Sequence, residues 1–390
     1  MNFNKLGLKS RNVFLVYASL IFGGMLFFLP ILALYFEKSL FTATNVALIF
    51  SIEAIAMVIF EVPTGAIADL FGRKRTLVLA NFVVLLAVIF LYIGGNMWMF
   101  ALFAILNSLA RSLASGTYNA FLYDTLKEEN QEHHYKMVIG TFYALWPVGA
   151  SIGSIIGGYL AKVSLSFPIE LSLIPLLFAF ILTLMLKEPK YEKEEHKNIL
   201  KHMFNSSKII IQNKQLILLA IGGFLLMGFG ETIHLLGPLF FKFKEIPIEL
   251  FGWITAFVFG FSAIGHYYSH SISRRLGNKK TLMIAVLGSS ILLILATLTT
   301  KYYAIVLFII PSLFFGLRNP IIDYLLNIEV SSSKRATIIS INNFIGELGV
   351  AIFAPFIGYF AELYTINTAF MISAALMLLV MIIFFFLKDK

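Results

Sequence analysis

Twelve long apolar runs, separated by short charged or turn-forming breaks, recur between Val13 and Leu387. The hydrocarbon core of a bilayer takes roughly 20 apolar residues to cross as a helix. A soluble domain of 390 residues has too little interior to bury so much apolar surface. The pattern predicts an all-α polytopic membrane protein. Its function must then concern what crosses, sits in or is sensed across a lipid layer.

Composition agrees. The chain is 59% hydrophobic and 13% charged, with a mean hydropathy of +0.87, whereas soluble domains are roughly 25% charged. Forty phenylalanines suit lipid-facing helices. With no cysteine, disulfides, thiolate metal sites and cysteine nucleophiles are excluded. The segment from Met1 to Arg11 is polar and basic, and no small-residue cleavage site follows the first apolar run, so that run is expected to be a retained helix. A net charge of +9 would suit nucleic acid, but the basic residues lie in the breaks between apolar runs. Membrane topology is therefore the better explanation, and no nucleic-acid partner is expected.

The expected spans are 13–36, 44–68, 76–95, 97–122, 137–161, 168–187, 215–240, 250–273, 281–300, 302–327, 336–361 and 366–387. An even number puts both termini on one side. Lys and Arg accumulate in cytoplasmic loops. With the termini inside, 23 basic loop residues lie inside and 5 outside: Lys38, Lys162, Lys242, Lys244 and Lys301. Arg111 and Arg318 remain within spans. The termini are expected in the cytoplasm and the chain in the cell membrane.

The longest polar stretch lies at the midpoint, from Lys187 to Lys214. It divides the chain into a six-helix half over 1–187, a linker over 188–214 and a second six-helix half over 215–390. The halves share weak internal similarity. Gly72, Arg75, Thr76 and Leu77 match Gly277, Lys280, Thr281 and Leu282 at an offset of 205. Gly149, Gly158, Tyr159 and Ala161 match Gly349, Gly358, Tyr359 and Ala361 at an offset of 200. Parallel repeats of this kind build transporters that rock around a midplane site.

Between spans two and three, Gly65, Asp69, Gly72, Arg73, Lys74 and Arg75 form a compact motif. Glycines allow close helix approach and a tight turn. A carboxylate such as that of Asp69 can accept hydrogen bonds from a helix N-terminus or pair with a basic side chain. The alternative is that the three basic residues only set topology. The motif resembles the signature loop of the major facilitator superfamily, in which such a cluster latches the cytoplasmic side. In the second-half copy Arg274 stands where Asp69 would be, so any latch is asymmetric.

Span five carries Gly140, Gly149, Gly153, Gly157 and Gly158. Small residues let helix backbones touch, and many membrane helices have such a face. The spacing resembles that family's antiporter motif, which implies export, although Ser154 stands where the motif has proline.

Ionisable residues inside a membrane are costly and usually functional. Arg111 lies in span four, Glu53 and Glu61 in span two, and Glu231 and His234 on one face of span seven. Arg318 and Asp323 lie in span ten, and Asn342, Asn343 and Glu347 in span eleven. The resemblance implies that spans one, four, seven and ten line a central cavity, and Arg111, Glu231, His234 and Arg318 fall on those helices. The family's exporters often carry an arginine at the position of Arg111, but its companion residues are missing here. A buried carboxylate is pushed towards its neutral form and a nearby arginine pulls it back. Glu231 and Glu53 are thus expected proton carriers, with Arg111 as switching partner. The competing reading is a permanent buried ion pair. Asp124 is expected to pair with a loop cation, and the histidines are too scattered for a metal site.

The resemblance implies a monomeric twelve-helix transporter without cofactor, working by alternating access on a proton gradient. Its expected activity is proton-coupled export of a small, partly apolar organic compound, as in multidrug efflux, with substrate held between the halves near Arg111, Glu231, His234 and Arg318. Uptake by proton symport uses the same machinery. A non-transporting sensor or a membrane-embedded enzyme is the reading of a different class. An enzyme would need a convergent nucleophile or metal constellation, and the sequence offers none.

Overall fold

The computed structural model describes residues 10–190, 210–330 and 335–388, and within these it leaves the side chains of 62, 63, 65–70, 336 and 337 undescribed. Most of the expected linker, and the side-chain positions of Gly65 and Asp69, thus lie outside the described residues. The described chain is helical, without strands. Twelve helices are long and apolar enough to cross a membrane: Arg11–Leu40, Ala43–Glu61, Arg73–Ile93, Met97–Glu128, Glu132–Leu160, Phe167–Leu184, Lys214–Leu235, Glu249–Leu276, Asn278–Leu298, Lys301–Ile328, Ile338–Leu363 and Ile366–Phe385. They are numbered here as spans one to twelve.

Five spans expected to be continuous are interrupted, spans ten and twelve only briefly, at Ile310 and Leu378. Span one stops at Gly24 and resumes through a 3-10 turn at Leu29–Ile31, because Pro30 lacks the amide that a helix interior uses. Span four breaks between Ala114 and Thr117, where Gly116 takes a φ of +69°. Span seven contains a π-helical turn, Leu226–Glu231. Polar side chains start several helices. The Asn96 carbonyl accepts from the amides of Trp98 and Met99, and Asn213 accepts from Gln215 and Leu216.

The contacts divide the chain into two units. The first comprises Met1–Tyr35, Ala56–Lys197 and Ile248–Trp253; the second comprises Phe36–Ile55, Asn198–Pro247 and Ile254–Lys390. In the first unit, Val13, Val16 and Leu20 of span one pack with Leu77, Phe121, Leu122, Leu126, Val138 and Leu186. Lipid tails are as apolar as these side chains, so helix association rests on close packing and small residues. A Cβ on Gly24 would lie 2.6 Å from the Trp146 carbonyl oxygen, and one on Gly149 would strike that of Ile21.

The second unit repeats these devices. A Cβ on Gly349 would strike the Phe224 carbonyl in span seven, as Gly149 meets span one. Thr76 Oγ1 donates to the Gly72 carbonyl at 2.8 Å, and Thr281 Oγ1 to that of Gly277 at the same distance. Both glycines sit at positive φ, +100° and +84°. The Lys187 amide donates to Asn12 Oδ1 at 3.0 Å, and the Lys388 amide to Gln215 Oε1 at 2.8 Å. The weak repeat in the sequence therefore corresponds to repeated contacts.

Each unit also joins spans from distant parts of the sequence. In the first, Gly158 meets Glu249 and Gly252 of span eight, Lys162 pairs with Glu249 at 3.2 Å, and Trp253 Nε1 donates to the Tyr159 hydroxyl at 3.2 Å. In the second, Gly358 meets Ala43, Thr44 and Ala47 of span two, and the Thr44 amide donates to Glu362 Oε1 at 3.0 Å.

Candidate coupling and substrate site

The signature loop turns at Gly72, whose φ of +100° favours glycine, and the helix Arg73–Ile93 starts immediately after it. Its orphan amides find a carboxylate. Glu188 Oε1 accepts from the Arg73 amide at 2.7 Å and Oε2 from the Lys74 amide at 3.0 Å. Negative charge at this end complements the helix dipole. The Arg73 side chain meets Asp124 at 2.7 Å, with both side chains mostly buried. Glu188, which the sequence reading left in the linker, thus caps this helix, while the side chain of Asp69 lies outside the described residues.

Four of the five glycines of span five serve two contacts. Gly149, Gly153 and Gly157 face the backbone of span one, where added methyl groups would meet Ile21, Met25 and Phe27. Gly158 faces span eight. A Cβ on Gly140 would meet nothing within 4 Å. The stripe therefore seats span five against two partners, and Gly140 belongs to neither contact.

Electrostatic interactions link intramembrane charges within each unit. In the first unit, the charge of Arg111 acts on Glu61, near the end of span two. Arg111 occupies the last turn before the break in span four, with an exposed side chain. In the second unit, Arg318 of span ten lies within the electrostatic reach of Glu231 and His234 of span seven. Arg318 is only 5% exposed, and its guanidinium carbon lies 4.9 Å from the centre of the Phe315 ring. The His234 ring meets Phe308 edge-on at 5.3 Å. Glu53 and Glu347 are half-buried, in spans two and eleven.

The π-helical turn explains how span seven presents its charges. Gly228 and Gly230 lie within it, and Glu231 closes it. A Cβ on Gly228 would lie 2.9 Å from the Gly349 carbonyl oxygen, so span eleven presses directly on the turn. Phe353 of span eleven packs on Phe229 at 4.3 Å. π-Turns inside α-helices concentrate at functional sites. Helical periodicity alone placed Glu231 and His234 on one face and carried no sign of this widened turn.

Known proteins agree with this architecture. The sequence profile of the Major Facilitator Superfamily matches residues 13–247 and 222–390. An uncharacterised MFS-type transporter of Bacillus subtilis (strain 168), YxaM, is 24% identical over 372 residues, covering 92% of this chain and 90% of YxaM. Among solved structures, the nucleoside transporter NupG superposes with a TM-score of 0.78 at 16% identity, covering 99% of this chain and 98% of NupG. A D-xylose-proton symporter superposes with a TM-score of 0.78 at 13% identity, covering 97% and 98%. With the profile spanning nearly its whole length, and twelve helices arranged as in these transporters, this chain belongs to the Major Facilitator Superfamily.

Proposed function

We propose that this transporter couples export of a small organic compound to proton movement in the opposite direction, by alternating access, in the cell membrane. Both termini face the cytoplasm on the strength of the basic residues in the loops on that side. Two six-helix bundles, 1–187 and 215–390, move as a monomer about the linker 188–214, and no cofactor takes part. The observation that carries the coupling is the group formed by the buried Arg318 with the half-buried Glu231 and His234. A carboxylate there neutralises when desolvated and ionises when a cation approaches, so it loads and releases a proton as its surroundings change. Glu53 serves as a second carrier, and Arg111 acts as the switching cation of the first unit through Glu61. The glycine face of span five supports the outward direction.

Uptake by proton symport is the second reading, favoured by the likeness in fold to a D-xylose-proton symporter. Inside-out vesicles separate the two. Under a proton gradient acid on the inside, an exporter accumulates substrate in the lumen and a symporter expels it. Glu231→Gln and Glu53→Gln test the carriers: at least one should flatten the dependence of transport on pH. Unchanged proton coupling in both variants overturns the assignment.

A further inference from the structure

Arg318 is the most buried of the cations within the spans, at 5% exposure. A guanidinium offers five N–H donors in a planar fork and stays charged. Among the described residues it makes no hydrogen bond or ion pair, and the Phe315 ring centre lies 4.9 Å from its guanidinium carbon. That cation–π contact covers one face of the plane and leaves the edge, where the donors point, unused. The charges acting on it come from span seven: Glu231, which attracts, and His234, which repels when protonated. Glu231 is near enough to stabilise Arg318 yet not in contact with it. A buried charge in this condition is strongly disfavoured without a partner.

We infer that the transported compound carries a carboxylate, which docks in the fork of Arg318. The inference rests on the transporter reading above and narrows its substrate class. A planar guanidinium matches a carboxylate with two parallel hydrogen bonds, which a neutral amide does not reproduce. The surroundings suit an apolar body behind that anionic head. Phe315 lies against the guanidinium, Phe308 against His234, and Phe229 with Phe353 beside the turn that ends at Glu231. Glu231 is then an internal competitor for the same cation, and neutralising it hands Arg318 to the substrate.

The test uses the purified full-length protein and its thermal unfolding midpoint. Three acids, benzoate, phenylacetate and indole-3-acetate, are each compared with the corresponding amide. At least one acid should raise the midpoint by several degrees at millimolar concentration while its amide does not. Arg318→Gln should abolish that shift, Arg318→Lys should keep part of it, and Glu231→Gln should bind the acid several-fold more tightly. If Arg318→Gln does not fold, the lysine and Glu231→Gln arms decide alone. Acids and amides acting alike, no acid binding, or equal binding in Glu231→Gln and the parent protein overturns the inference. Proton-driven flux of neutral or cationic compounds, with acids ignored, would sink this inference alone. Absence of any proton-driven flux would instead sink the functional reading on which it rests.

Discussion

Arg73 Nε and Asp124 Oδ2 lie 2.7 Å apart, joining the start of span three to the second half of span four, with side chains 14% and 11% exposed. The pair sits beside the Glu188 cap, so the signature loop is held from two directions within one unit. Removing one partner of a largely buried pair takes away a short charge–charge contact. Asp124→Asn should therefore lower stability by on the order of 1–3 kcal/mol. The drop should be read in a thermal or denaturant unfolding series. A variant as stable as the parent would show that this contact contributes nothing to the fold.

Glu188→Gln isolates the cap. It keeps the shape and removes the charge facing the helix N-terminus. The expected loss is about 1 kcal/mol, typical of a lost helix cap. Glu188→Ala should lose at least as much. Protease susceptibility around Gly72 should rise in both, and an unchanged digestion pattern would argue against the contact.

The glycine stripe makes a graded prediction. Gly157→Ala places a methyl group on the Phe27 carbonyl and should destabilise the protein by about 1–3 kcal/mol, as overpacking does. Gly140→Ala meets open space and should change stability by less than about 0.5 kcal/mol. Equal effects at the two positions would mean that span five does not rest on span one as described.

The helices were legible in the sequence because each spans the bilayer as one uninterrupted apolar run, a signal set by membrane thickness. Span seven shows where that signal stops. Its π-turn depends on Gly228 fitting beneath Gly349, a contact made by residues far apart in sequence. The break in span four was marked in the sequence only by Gly116, whose positive φ local pattern does not reveal. The partnership of Arg318 with Glu231 and His234 was visible as three costly charges on helices expected to face a cavity. The aromatic contact on Arg318 was not, since Phe315 is one phenylalanine among 40. Glu188 was missed for a different reason. It lies just beyond span six, where a charged residue looks like ordinary solvated surface until the fold brings it against Arg73.

The account's central claim is that the span-seven cluster faces water reachable from each side of the membrane in turn. The chain contains no cysteine, so a single His234→Cys substitution provides an unambiguous reporter. Labelling by a membrane-impermeant maleimide in right-side-out and in inside-out vesicles measures access from each face. The account predicts labelling in both preparations. Reaction only with a membrane-soluble maleimide, or from neither face, would contradict it.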